Sequence, residues 1–263
     1  MNAHVSHPTP NARLTPSPGP CPANVSPVPA RTAGAAGPAT RRVIDAPTRM
    51  FHWLFAFSFA GAYLSAEGEA WRMLHVTLGY TMAGLLAFRV VYGLVGPRQV
   101  RLSALWSKLR GGTDWLRSLW RAPTPASVNW RQGQNLLMAL AVVALMLAVV
   151  PVTLTGWASF NEWGADLWGI DWADVLGELH EAAGEAFLWL VLTHLGGLLA
   201  FSLWRRKNLA TPMLTGHTEG RGPHLAKHNH TWLAALLALA VVAYIAWEWS
   251  QAPHGLVRLS GVF

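Results

Sequence analysis

Four of the eleven histidines, His52, His75, His180 and His194, stand within or at the edge of long apolar stretches. An ionisable group at membrane depth is costly to bury and is a functional candidate by default. A neutral imidazole escapes that charge penalty and still offers a lone pair to a metal. His180 and His194 are fourteen residues apart; on one helix this returns them to within about 40° of the same face and separates them by about 21 Å, one near each bilayer surface. His52 opens one apolar stretch and His75 the next. With the chain crossing in alternate directions, His75 shares its depth with His180 and His52 shares its depth with His194. Two depth-matched pairs make two axial ligand sets, one imidazole for each face of a six-coordinate haem iron held between helices. Zinc or copper fits less well, because two pairs about 21 Å apart lack the further ligands those sites need.

The elements that must position these rings are transmembrane helices. The chain has 263 residues, 52% of them hydrophobic and only 13% charged, which is too apolar for a disordered chain and short of charge for a soluble one. Apolar runs recur at 50–66, 74–95, 135–154, 179–204 and 231–249, five spans of about 20 residues each. Pro151 falls near the end of the third run, where a lost hydrogen bond costs least. No repeat of fixed period is visible, which disfavours a transporter. Cys21 is the single cysteine, so there is no disulfide framework, no Cys-x-x-Cys zinc or redox motif, and no Cys-x-x-Cys-His attachment for covalent haem.

The net charge of +7 sorts by loop, which points to membrane topology and not to nucleic acid. Five basic residues precede the first run, seven lie between the second and third against Asp114 alone, and Arg205, Arg206, Lys207, Arg221 and Lys227 follow the fourth. The segment after the third run has no Lys or Arg but carries Glu162, Asp166, Asp171, Asp174 and Glu178. These biases place the N-terminus in the cytoplasm and the C-terminus outside, leaving Arg72 and Arg258 as the basic residues of the outer side. In the loop 98–131 the segments LSALWSKL and DWLRSLW repeat Leu and Trp at helical spacing among basic residues, the pattern of interfacial helices. Trp157, Trp163, Trp168 and Trp172 among the acids of 155–178 suit a short amphipathic segment lying at the headgroups, or simply an aromatic belt there. Residues 1–40 hold nine of the seventeen prolines and no hydrophobic run, so a disordered extension is expected there.

Other residues could serve the same chemistry. Arg89, fourteen residues after His75, shares its helix face at the depth of the His52 and His194 pair, where haem propionates would be a partner and snorkelling to headgroups the alternative. Arg49, three residues before His52, could serve the same propionates. Gly61, Gly79, Gly84, Gly184, Gly196 and Gly197 could make room for a macrocycle or simply for helix packing. Glu181 and Glu185, beside His180, could orient a ligand or relay protons. His217, His224, His228 and His230 crowd one loop with Arg221 and Lys227, a pattern for metal binding or for a solvated polar loop.

The segments DAPTRMFHWL with His52, H-x-x-x-G with Arg89 ten residues beyond Gly79, VYGLVGP, and LHE with a second histidine fourteen residues on resemble the bacterial cytochrome b561 family, which includes the di-haem b-type cytochrome subunit of nickel-iron hydrogenases. The likeness runs from about Ile44 to Trp204. It implies a four-helix bundle with two non-covalent b haems whose ligands are His52, His75, His180 and His194, and electron passage between quinone and a redox partner. The expected fold is therefore an all-α integral membrane protein, a four-helix haem-binding bundle plus a fifth transmembrane helix. Its divisions are a Pro/Ala-rich extension (1–43), the di-haem domain (44–207), a cytoplasmic His-rich loop (208–230), and the last helix with a short outer tail (231–263). The expected function is that of a respiratory-chain cytochrome b in a bacterial inner membrane. It would connect the quinone pool with a periplasmic c-type cytochrome, dehydrogenase or hydrogenase, in either direction, and the outer acids could steer a basic partner. Two alternatives stand beside it: a stand-alone oxidoreductase acting on superoxide or ferric ion, and a haem-free anchor or transporter.

Overall fold

The computed structural model describes residues 40–98, 100–124, 127–164, 171–220 and 222–252, all within one compact unit, Pro38–Phe263. It is mostly helical. Helix α1 (Ala46–Leu64) starts where Asp45 caps it, the carboxylate accepting the Thr48 N–H, with Pro47 in the first turn where a missing donor costs nothing. A 3-10 turn (Glu69–Trp71) leads into α2 (Arg72–Val95). Helix α3 spans Leu102–Arg121. Helix α4 (Trp130–Phe160) is capped by Asn129, and α5 (Trp172–Arg205) by Asp171. The short α6 (Thr211–Thr215) and α7 (Thr231–Gln251) complete the helices. Two three-residue strands, β1 (Thr40–Arg42) and β2 (His217–Glu219), pair antiparallel with Arg41 opposite Thr218.

Four segments are long and apolar enough to cross a membrane: Glu69–Val95, Trp130–Phe160, Trp172–Arg205 and Thr231–Gln251. Five were expected, and the one that falls short is α1. Pro47, Thr48, Arg49 and His52 occupy its first turns and leave too short an apolar stretch. Helices α4 and α5 are longer than their apolar runs, because the caps at Asn129 and Asp171 lie outside the hydrophobic residues. Large exposed side chains on α4, α5 and α7 are apolar, among them Leu147, Leu154, Leu199, Leu239 and Val242, as a lipid-facing surface requires.

Helix α1 packs along α2 and α7, α2 along α4, and α4 along α5. Their interior meets at Phe187, 1% exposed, which joins Ala62, Met82 and Val149 in the core. Phe187 receives Phe59 edge-on at 4.9 Å and Phe55 at 6.4 Å. The two interfacial segments expected in the loop form one continuous helix. Gly112 lets α3 lie close under Leu136 of α4, where an added Cβ would come to 2.8 Å of the Leu136 side chain. Trp115 donates to the Asn129 carbonyl at 3.1 Å. Trp106, Leu116 and Trp120 remain exposed, interleaved with Lys108, Arg110, Arg117 and Arg121.

The N-terminal extension lies outside the described residues up to 39, and its last residues form β1. Asp166 and Trp168 also lie outside them, as do Arg221, Arg258 and Cys21. The His-rich loop folds back on the start of α1: His224 Nδ1 accepts the Arg42 N–H at 2.9 Å and Asn229 Oδ1 accepts the Ala46 N–H at 3.1 Å. No cluster of three or more metal-ligating side chains occurs among the described residues.

Candidate functional site

At the end of the bundle where α1 and α4 stop and α2 and α5 begin, His75 and His180 face each other across the interior. Their ring centres are 5.8 Å apart and their planes nearly perpendicular, at 89°. Two imidazoles bound to one metal at about 2 Å each bring their ring centres to about 6 Å. His75 Nδ1 is 2.8 Å from the Ala62 carbonyl oxygen and His180 Nδ1 is 2.9 Å from that of Val152. A carbonyl only accepts, so each Nδ1 carries the proton and donates it, and each Nε2 keeps its lone pair free. This is the arrangement in which a metal-binding histidine is oriented by its other nitrogen. Ala62 is available for the task because α1 ends at Leu64, and the last carbonyls of a helix have no intrahelical donor.

The pair borders a cavity of about 800 Å³ lined also by Gly79, Gly184, Met82 and Phe187. Gly79 and Gly184 lie one turn beyond His75 and His180 on the same helix faces, and a Cβ at either would meet nothing within 4 Å. Gly84 and Gly196 are equally open, whereas Gly61 accommodates the Leu78 side chain of the neighbouring helix and Gly197 makes an ordinary contact with Met138. Glu67, Arg72, Glu181 and Glu185 line the same cavity. Sequence reasoning missed Gly156. A Cβ there would stand 2.7 Å from the His180 ring, so only glycine at 156 lets that ring reach its position. The signal was a glycine two residues after Leu154, in a span read only for its hydrophobicity.

At the other end, His52 on α1 lies within electrostatic range of His194 on α5. Here Nδ1 of both rings is buried without a hydrogen-bond partner. His52 meets Trp53 edge-on at 5.4 Å. Arg49 donates from one Nη to the Leu214 carbonyl at 3.0 Å, while its Nε is buried and unpartnered. Arg89 donates to the Val100 carbonyl at 3.2 Å. The fully buried Asp45 accepts the Tyr92 hydroxyl at 2.6 Å as well as the Thr48 N–H. Asp45 and Tyr92 belong to two of the segments that carried the resemblance, DAPTRMFHWL and VYGLVGP, and their roles were not foreseen: the two segments meet in a buried bond that fixes the start of α1 against the end of α2.

The donor set suits haem. Two facing imidazoles beside a cavity large enough for a macrocycle, with no third metal-ligating side chain clustered on them among the described residues, fit a bis-histidine haem iron better than a hydrolytic metal. Compared with known families, the chain matches Prokaryotic cytochrome b561 over residues 43–216. Searches of the curated proteins and of the solved structures return no match.

Proposed function

The chain belongs to the prokaryotic cytochrome b561 family, bacterial membrane proteins that carry electrons with haem b, and we propose that it holds two b haems and connects the quinone pool to a redox partner. The observation that carries this reading is the facing of His75 and His180, each with Nδ1 bound to a backbone carbonyl, at the wall of a cavity. These two would ligate one haem, and His52 and His194 the second. When bound, haem b supplies a one-electron ferric/ferrous couple whose potential follows its axial ligands and surroundings.

What the chain itself contributes is positioning. Ala62 and Val152 hold two imidazoles in the tautomer that leaves Nε2 free, so that site needs no rotamer search. Phe187 with Phe55 and Phe59 forms an apolar layer between the two pairs and excludes water from the interior. Arg49 and Arg89 would pair with carboxylates at the His52 end, where the unpartnered Nε of Arg49 supports such a bond. Helix α1 would cross the bilayer beside the four longer helices, with Arg49 and His52 facing the interior and the headgroups. The basic α3 and the charges around it support a cytoplasmic placement of the His52 end, hence an inner-membrane protein with a periplasmic C-terminus. A periplasmic c-type cytochrome or an oxidoreductase subunit is the partner class that suits the acidic opposite end.

The test is anaerobic mixing of the purified protein with a short-chain quinol, followed in the visible spectrum. Reduction of haem within the mixing time, and reoxidation by added quinone, is the expected result. A protein reduced by dithionite but inert to quinol and quinone would exclude the quinone-linked role.

A further inference from the structure

Arg72 is the cation out of place. The end of the bundle carrying His75 and His180 is acidic, with Glu67, Glu69, Glu162, Asp171, Asp174, Glu178 and Glu181, and among the described residues Arg72 is its single Lys or Arg. It nevertheless forms no ion pair with another described residue. The ion pairs among the described residues are Arg117–Asp114 and Lys207–Glu219, both elsewhere. The Arg72 guanidinium instead sits over the Phe160 ring, 5.6 Å from its centre, and lines the cavity beside the two histidines. A cation seated on an aromatic face keeps its planar fork free for a further partner.

Its position relative to His75 has a counterpart. Arg49-Met50-Phe51-His52 opens α1 and Arg72-Met73-Leu74-His75 opens α2. Both helices begin at opposite ends of the bundle, so each arginine lies one turn, about 4.5 Å along the axis, on the surface side of its histidine. The two short segments therefore present the same chemistry at opposite ends: an imidazole inside, and a guanidinium between it and the nearer membrane surface. The partner that chemistry selects is a carboxylate bound beside the imidazole, matched by two parallel N–H donors.

We propose that Arg72 binds the propionate carboxylates of the haem held by His75 and His180, with Phe160 as the seat that holds the guanidinium at the cavity rim. The inference rests on the di-haem reading above. Its test is the rate of haem transfer from the purified protein to apomyoglobin, together with a potentiometric titration, in Arg72→Gln and Arg72→Lys. Arg72→Gln should release one of the two haems about tenfold faster, the loss expected for a hydrogen bond to a charged group. It should also lower the midpoint potential of that haem, since a nearby positive charge disfavours the ferric state. The affected haem should be the one absent from His180→Ala. Arg72→Lys should keep the potential but still release that haem faster than wild type, because an ammonium lacks the fork. Wild-type release and potentials in Arg72→Gln, or an effect confined to the haem lost in His194→Ala, would overturn the assignment. Should Arg72→Gln fail to fold, wild-type release in Arg72→Lys would overturn it alone. A wild-type protein without the His180-dependent haem would overturn the di-haem reading as well, which separates the two failures.

Discussion

At one end of the bundle both imidazoles are held by backbone carbonyls, His75 by Ala62 and His180 by Val152, while at the other Nδ1 of His52 and of His194 has no hydrogen-bond partner. Ala62 lies in the last turn of α1, where a carbonyl has no intrahelical donor, whereas Val152 lies within α4 and its carbonyl takes the His180 ring as a further donor. At the His52 pair no carbonyl takes either ring, and the polar groups around it are side chains: Arg49, Arg89, and the Asp45–Tyr92 bond. One site is preset by the backbone and the other is assembled from side chains around whatever enters it.

Several substitutions break or sharpen that contrast. The largest effect is expected from the ligands themselves: His180→Ala and His194→Ala should each abolish or render five-coordinate one haem and leave the other, as read by a pyridine haemochrome assay and the low-spin signal in electron paramagnetic resonance. Loss of both haems in either variant would show the sites to be interdependent. Phe187→Ala removes the buried ring that separates the ends and should cost about 3–5 kcal/mol of stability, seen as a drop in the thermal midpoint in detergent. Gly156→Ala should act on the preset end alone. Its Cβ meets the His180 ring, and the overpacking is worth about 1–3 kcal/mol, so the haem count should fall when Gly156→Ala is combined with His194→Ala and stay unchanged when it is combined with His180→Ala. Tyr92→Phe should have the smallest effect, about 0.5–1.5 kcal/mol for one lost hydrogen bond, because Asp45 keeps the Thr48 N–H. It should perturb the spectrum of the His52 and His194 haem only.

Much of this was legible in the sequence because helices report depth. The fourteen-residue step from His180 to His194 and the alternation of basic and acidic loops placed the histidines in pairs, and the structure sets His75 opposite His180 and His52 near His194. Gly79 and Gly184, four residues beyond their histidines, open on the cavity that a macrocycle would need. What escaped depends on contacts between distant segments. Gly156 reads as one more small residue in an apolar run until His180 is brought against it. Asp45 enters the sequence only as part of DAPTRMFHWL; it caps α1, and its second bond, to Tyr92, joins residues 47 positions apart. Helix α1 reads as a span by its run of Phe and Ala, yet Arg49 and His52 in its first turns shorten that run. The function of α1 takes precedence there over its hydrophobicity: the residues that weaken it as a span are those that would hold a cofactor.

The most direct measurement is the reduced-minus-oxidised visible spectrum of the detergent-purified protein, with haem counted per chain. Two low-spin b haems per chain, one assigned to each histidine pair by the alanine variants, are expected from four imidazoles placed two at each end of the bundle. A colourless protein after expression with ample haem, or a single haem per chain, would contradict it.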